Sequence, residues 1–81
     1  MTNREALKEL LLDVFLLDPD EFQFDLKREE IQTWDSMAVV AIAVGVDEVF
    51  GYHFTPDEAT SITGVDDIIR ILESKGISFA E

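Results

Sequence analysis

The chain has 81 residues, no cysteine, and six Lys and Arg against eighteen Asp and Glu, for a formal charge of −12. That length suits one domain, spanning 1–81, of modest stability, because a chain of this size buries only roughly 60% of its unfolded surface. The absence of cysteine excludes a disulfide scaffold and a thiolate metal site, and a hydrophobic content of 47% excludes a disordered acidic tail.

Leu7, Leu10, Leu11, Val14 and Phe15 recur at the three-and-four spacing of an amphipathic helix. With Thr2 or Asn3 as its cap, this predicts a first helix from Asn3 to Leu17, ended by Pro19. The following segment, "DPDEFQFDLKREEIQTWD", has apolar residues without a sustained helical period and reads as a long ordered loop with one helical turn near Leu26 to Ile31. Phe22, Phe24, Ile31 and Trp34 pin it to the core. Asp18, Asp20 and Glu29 stand at positions one, three and twelve of an EF-hand loop, but Phe22 at position five and Gln23 in place of the glycine defeat it, so no metal site is expected.

A second helix is predicted from Ser36 to about Gly51. Its many valines suit a strand, but its length and the polar pair Asp47 and Glu48 decide for a helix. Val40, Ala43, Val46 and Phe50 are expected to face the core, with Met37, Val39, Ala41 and Val44 toward the margin or solvent. "TPDEA" from Thr55 is a helix start: Thr caps, Pro takes the first turn, and two acids meet the positive end of the helix dipole. It opens a short third helix, Pro56 to Ser61. "TGVDDIIRILESKG" opens with Thr63 and Asp66 at capping-box-like spacing, buries Val65, Ile68, Ile69 and Leu72, and stops at Gly76. The expected fold is all-α, a four-helix bundle of three main helices and one short one.

Between Arg28 and Arg70 there is no Lys or Arg, while nine acids fall in that window: Glu29, Glu30, Asp35, Asp47, Glu48, Asp57, Glu58, Asp66 and Asp67. Phosphate backbones need the opposite sign, so nucleic acid is excluded as a partner and a basic protein surface is favoured. The longest nearly uncharged run, Ser36 to Val46, is too short to span a bilayer, for which about 20 apolar residues are needed. The charged start "MTNREALKEL" is unlike a signal peptide, which places the chain in the cytoplasm.

Ser36 follows Asp35 at the mouth of the apolar second helix. A serine there is commonly a cap or first-turn residue. As a hydrolase nucleophile it needs a base, but His53, the single histidine, lies beyond the far end of the same helix, about 20 Å or more away at ~1.5 Å per residue. No nucleophile-elbow motif is present either. His53, with no second histidine or any cysteine to share a metal, reads as a turn or packing residue, and Trp34 as an anchor for the loop.

The full arrangement carries more information than the dipeptide. "DSM" at Asp35 to Met37, "VFG" at Val49 to Gly51, "TPDEA" at Thr55 to Ala59 and "TGVDDII" at Thr63 to Ile69, in a small acidic four-helix chain with a long first loop, resemble the acyl carrier proteins over about Arg4 to Lys75. The resemblance implies that Ser36 is modified with a 4′-phosphopantetheine arm, taken from coenzyme A by a separate phosphopantetheinyl transferase, and that Asp35 serves in recognition by that transferase. It implies a monomeric carrier, itself no enzyme, that presents acyl thioesters to separate acyl-loading and acyl-processing enzymes in fatty acid, polyketide or related lipid biosynthesis. Aminoacyl or peptidyl cargo is the alternative. A different class is an acidic interaction module without a prosthetic group, in which Ser36 is only a cap.

The chain departs from the family pattern in having Met37 where leucine is usual. It also has Ala38 and Ala41 where carriers of primary fatty acid synthesis tend to have acids, and delays its acids to Asp47 and Glu48. This resembles a specialised carrier more than the housekeeping one. Several apolar residues along one helix beside Ser36 suggest a docking patch of Met37, Val39, Ala41 and Val44, framed by Asp47 and Glu48, that meets basic or apolar partner surfaces.

Overall fold

The computed structural model describes residues 2–80, and these hold four α-helices: α1 Asn3–Phe15, α2 Ser36–Phe50, α3 Pro56–Ser61 and α4 Val65–Ser74. Short 3-10 turns at Pro19–Glu21 and Arg28–Glu30 punctuate the long first loop. The all-helical bundle expected from the periodicity is present, and no described helix is long and apolar enough to cross a membrane.

The core is the sum of one face from each main helix. Leu7, Leu11 and Phe15 come from α1, Ala38, Ile42 and Val46 from α2, and Val65, Ile68, Ile69 and Leu72 from α4. Where α1 crosses α2, Gly45 is buried, and a Cβ there would stand 2.2 Å from Leu10 Cδ1, so a side chain at this position would require the Leu10 side chain to shift. The loop is pinned from within by Phe22, Ile31 and Trp34, all buried, with the Trp34 ring 4.8 Å from that of Phe15. Phe24 is half-buried and meets Phe22 edge to face at 5.0 Å.

The same loop is tied by its backbone to the start of α4. The Arg28 N–H donates to the Thr63 carbonyl at 2.8 Å and the Val65 N–H to the Leu26 carbonyl at 2.9 Å. Gly64 lies buried between these bonds; an added Cβ would come within 3.0 Å of the Leu26 carbonyl oxygen and 2.9 Å of Lys27 Cδ.

Several boundaries differ from the sequence reading. α1 ends at Phe15, two residues early, because Leu16 takes a left-handed conformation (φ 58°) and both its N–H and that of Leu17 turn back to the Leu12 carbonyl. This is the usual way to satisfy the last carbonyls of a helix, but with leucine where glycine is favoured, and the Leu16 side chain is left 82% exposed. The expected pairing of Thr63 with Asp66 is displaced by one residue. Gly64 is the N-cap of α4, the Thr63 N–H and hydroxyl both donate to Asp67 Oδ2, and Asp66 instead accepts from Lys27 Nζ at 2.8 Å. At α3 the Thr55 cap forms as read, and Glu58 reciprocates by accepting the Thr55 N–H at 3.0 Å.

Core residues outside the periodic segments, Phe54, Ile62 and Phe79, are not marked by the sequence pattern. Phe79, fully buried, lies beyond Gly76 in a segment without helical period, and its ring stands 5.7 Å from that of Phe50. Arg4 Nε donates to the Phe79 carbonyl at 2.6 Å and Asn3 Nδ2 to the Ser78 carbonyl at 2.9 Å, which fastens the C-terminal segment across the start of α1.

Candidate functional site

The start of α2 is set by Asp35, not by Ser36. Asp35 is the N-cap residue, in extended conformation, and its Oδ1 accepts the Ala38 N–H at 2.9 Å. Ser36 is therefore the first helical residue, exposed, and its hydroxyl makes no hydrogen bond among the described residues. The idea of Ser36 as a cap is corrected: the aspartate reaches the third N–H of the turn, which leaves the serine nothing to cap. The chain's other serines are engaged with backbone. Ser61 Oγ donates to the Glu58 carbonyl at 2.8 Å, Ser74 Oγ to the Ile71 carbonyl at 2.6 Å, and Ser78 Oγ accepts the Ala80 N–H at 3.3 Å. The N–H groups of Ser36 and Met37 precede the first intrahelical bond and have no helical carbonyl to meet, so this end of α2 carries a local positive potential.

Beyond Ser36, α2 exposes a continuous apolar stripe. Met37 (79% exposed), Val40 (63%) and Val44 (53%) lie at helical spacing on one side with exposed Ala41, over about 10 Å of helix at ~1.5 Å per residue. Two expectations change here. Val40, expected in the core, is on the surface, and Ala38, Ile42 and Gly45 line the core with Val46 instead. Val39 is half-buried and packs against the core, so it stands behind the stripe. The first loop does not cover these side chains; Val40 and Val44 remain open. Asp47 and Glu48 are exposed at the far end of the helix.

His53 is exposed and lies 3.6 Å from the Asp47 carboxylate at the far end of α2, so the histidine does not stand beside Ser36. Near this end Tyr52 donates to Glu58, a contact that raises the Tyr52 phenol and, with the Thr55 N–H, lowers the Glu58 carboxyl. At the α4 start the hydrogen bond to Lys27 holds Asp66 below the usual carboxylate range and raises Lys27, while the Thr63 donors lower Asp67. Among the described residues no group of three acids or histidines is placed to hold a metal ion.

The arrangement is thus an unengaged hydroxyl at an anion-favouring helix end, with an apolar stripe behind it. No family model matches the chain. Among curated proteins, it is 33% identical over 73 residues to "Polyketide-8 synthase acyl carrier protein 2" of Streptomyces avermitilis, covering 90% of this chain and 84% of that one. It is 31% identical over 70 residues to an acyl carrier protein of Sulfurovum, covering 86% of this chain and 93% of the relative. A third match, 29% identical over 70 residues, is an acyl carrier protein of Coprothermobacter proteolyticus, 85% of which is covered. The chain belongs to the acyl carrier protein family.

Proposed function

We propose that the chain carries acyl groups on a 4′-phosphopantetheine arm attached to Ser36 Oγ and presents them to separate enzymes of fatty acid, polyketide or related specialised biosynthesis. The observation that carries this reading is the exposed, unengaged Ser36 hydroxyl at the first position of α2, with capping already done by Asp35. The site fits a phosphodiester. Two N–H groups without helical acceptors and the positive end of the dipole favour an anion there, and exposure gives an activating enzyme access. When bound, the arm supplies a terminal thiol that holds the cargo as a thioester.

The residues of the chain position and advertise that group. Asp35 Oδ1 fixes the first turn through Ala38, and the second carboxylate oxygen stays available to a basic residue of the transferase. Met37, Val40, Ala41 and Val44 offer partner enzymes an apolar contact, while Asp35 at one end and Asp47 and Glu48 at the other steer basic groups. The chain itself is the carrier and not the catalyst, and acts as a cytoplasmic monomer. An apolar α2 surface in place of early acids, together with a relative named for a polyketide synthase, supports a specialised pathway.

Incubation of the purified chain with coenzyme A and a broad-specificity phosphopantetheinyl transferase tests the reading. A mass increase of one phosphopantetheine is expected. An unchanged mass would favour an unmodified interaction module that uses the same apolar stripe.

A further inference from the structure

α1 and α2 run antiparallel: Leu10 of α1 lies against Gly45 of α2, while Phe15 at the end of α1 packs on Trp34 just ahead of α2. The end of α1 and the beginning of the first loop therefore stand at the same end of the bundle as Ser36. Two departures from the usual pattern meet there in one residue. Leu16 is the one non-glycine residue with positive φ among the described residues, and it is also the most exposed of the large apolar side chains. A side chain in the left-handed region crowds its own backbone, and glycine would close the same helix end without that cost. Folding alone does not ask for leucine at this position.

Leu16 borders a groove of about 340 Å³ whose other apolar lining is Phe15, Leu17, Leu26 and Ile31. Glu21 and Glu30 also line it, and no Lys or Arg does. Each glutamate spends Oε1 on a backbone N–H of its own turn, that of Asp18 at 2.9 Å and that of Lys27 at 2.8 Å, and neither forms an ion pair among the described residues. An apolar groove bordered by uncompensated carboxylates complements a long side chain with an aliphatic stem and a cationic head. Arginine suits it better than lysine, because the guanidinium is more weakly hydrated and meets carboxylates in a fixed fork.

The position of the groove identifies whose arginine this is. Thr33 lines it too, three residues before Ser36 and at most about 11 Å from it along the chain. A standard interface covers about 800 Å² on each partner, a disc of about 16 Å radius. An enzyme that closes on the Ser36 hydroxyl with such a footprint reaches the groove.

We propose that this groove receives an arginine side chain of the phosphopantetheinyl transferase, with Leu16 as its apolar wall and Glu21 and Glu30 as its charge partners. The transferase then grips the chain on the first loop as well as on α2. The proposal rests on Ser36 being the attachment site, and it makes Leu16 a residue that determines partner specificity.

Pantetheinylation of the full chain by a broad-specificity phosphopantetheinyl transferase, followed by intact mass, tests it, with melting temperatures taken for every variant. Glu21→Gln/Glu30→Gln keeps the oxygen that each turn uses and removes only the charge. It should lower kcat/KM about fivefold or more and weaken the dependence of kcat/KM on salt. Leu16→Gly suits the left-handed backbone, so its melting temperature should match or exceed that of the wild type while kcat/KM falls about threefold or more. Glu9→Gln/Glu73→Gln removes the same charge from exposed positions that do not line the groove, and should stay within about twofold of the wild type. Wild-type kcat/KM in either groove variant overturns the proposal, and so does an equal loss in Glu9→Gln/Glu73→Gln, which would assign the effect to total charge. Those results leave the carrier reading standing. A wild-type chain that gains no mass overturns both.

Discussion

α2 and α4 are both helices of the same small bundle, yet they spend their apolar residues differently. In α4, Val65, Ile68, Ile69 and Leu72 are buried while Asp66, Asp67, Arg70 and Glu73 face outward or sideways, so the core accounts for its large apolar residues almost completely. In α2, Ala38, Ile42, Gly45 and Val46 suffice for the core, and Met37, Val40 and Val44 are left exposed. Surplus apolar surface of this kind does nothing for folding and carries a cost in solubility. The difference separates a helix whose apolar residues the core uses up from one that keeps apolar surface exposed, and it is on that surplus that the proposed docking of partner enzymes rests.

Leu72→Ala should destabilise the protein by about 2–5 kcal/mol, because Leu72 is fully buried, whereas Val44→Ala should stay within about 0.5 kcal/mol, both read by urea denaturation. Equal losses would mean that α2 and α4 are used alike. Asp35→Ala removes the observed cap and should cost about 1 kcal/mol, with Asp35→Ser recovering most of it. Val44→Asp should change stability by less than about 0.5 kcal/mol, leave pantetheinylation unchanged, and lower turnover with a cognate partner. Unfolding of that variant would place Val44 in the core.

The smallest effect lies in pH. Asp66, Asp67 and Glu58 have carboxyls lowered in the fold, by Lys27, Thr63 and Tyr52 respectively, so what they contribute is present above the ordinary carboxylate range and is lost as pH falls through their folded values. Lys27 is raised, so its contribution holds below the ordinary lysine value and is lost only as pH climbs past it. Lys27 and Asp66 are both about half exposed, which limits the effect. Asp66→Asn should accordingly lower the melting temperature slightly at neutral pH, match the wild type at the acid end where that contribution is already lost, and so flatten the acid side of the profile.

Much of this was legible in the sequence because helices announce themselves through period and caps. α3 was read to the residue, since Thr55, Pro56 and Glu58 act locally. Contacts between distant segments left no such trace. Phe79 reaches the core through Phe50 and Arg4, and Lys27 takes Asp66 from the expected Thr63 pairing across 39 residues of chain. Within α2 a valine-rich helix offers little contrast between faces, so the spacing alone points Val40 inward. Ser36 stood out through the motif around it, but its lack of a capping role became clear only from the Asp35 carboxylate on the Ala38 N–H.

Wild type and Ser36→Ala, treated side by side with coenzyme A and a phosphopantetheinyl transferase, should differ completely in intact mass and hardly at all in melting temperature, because the substituted hydroxyl caps nothing. Wild type gains one phosphopantetheine and Ser36→Ala gains none. Modification that persists in Ser36→Ala, moving the attachment to Ser61, Ser74 or Ser78, would contradict attachment at Ser36.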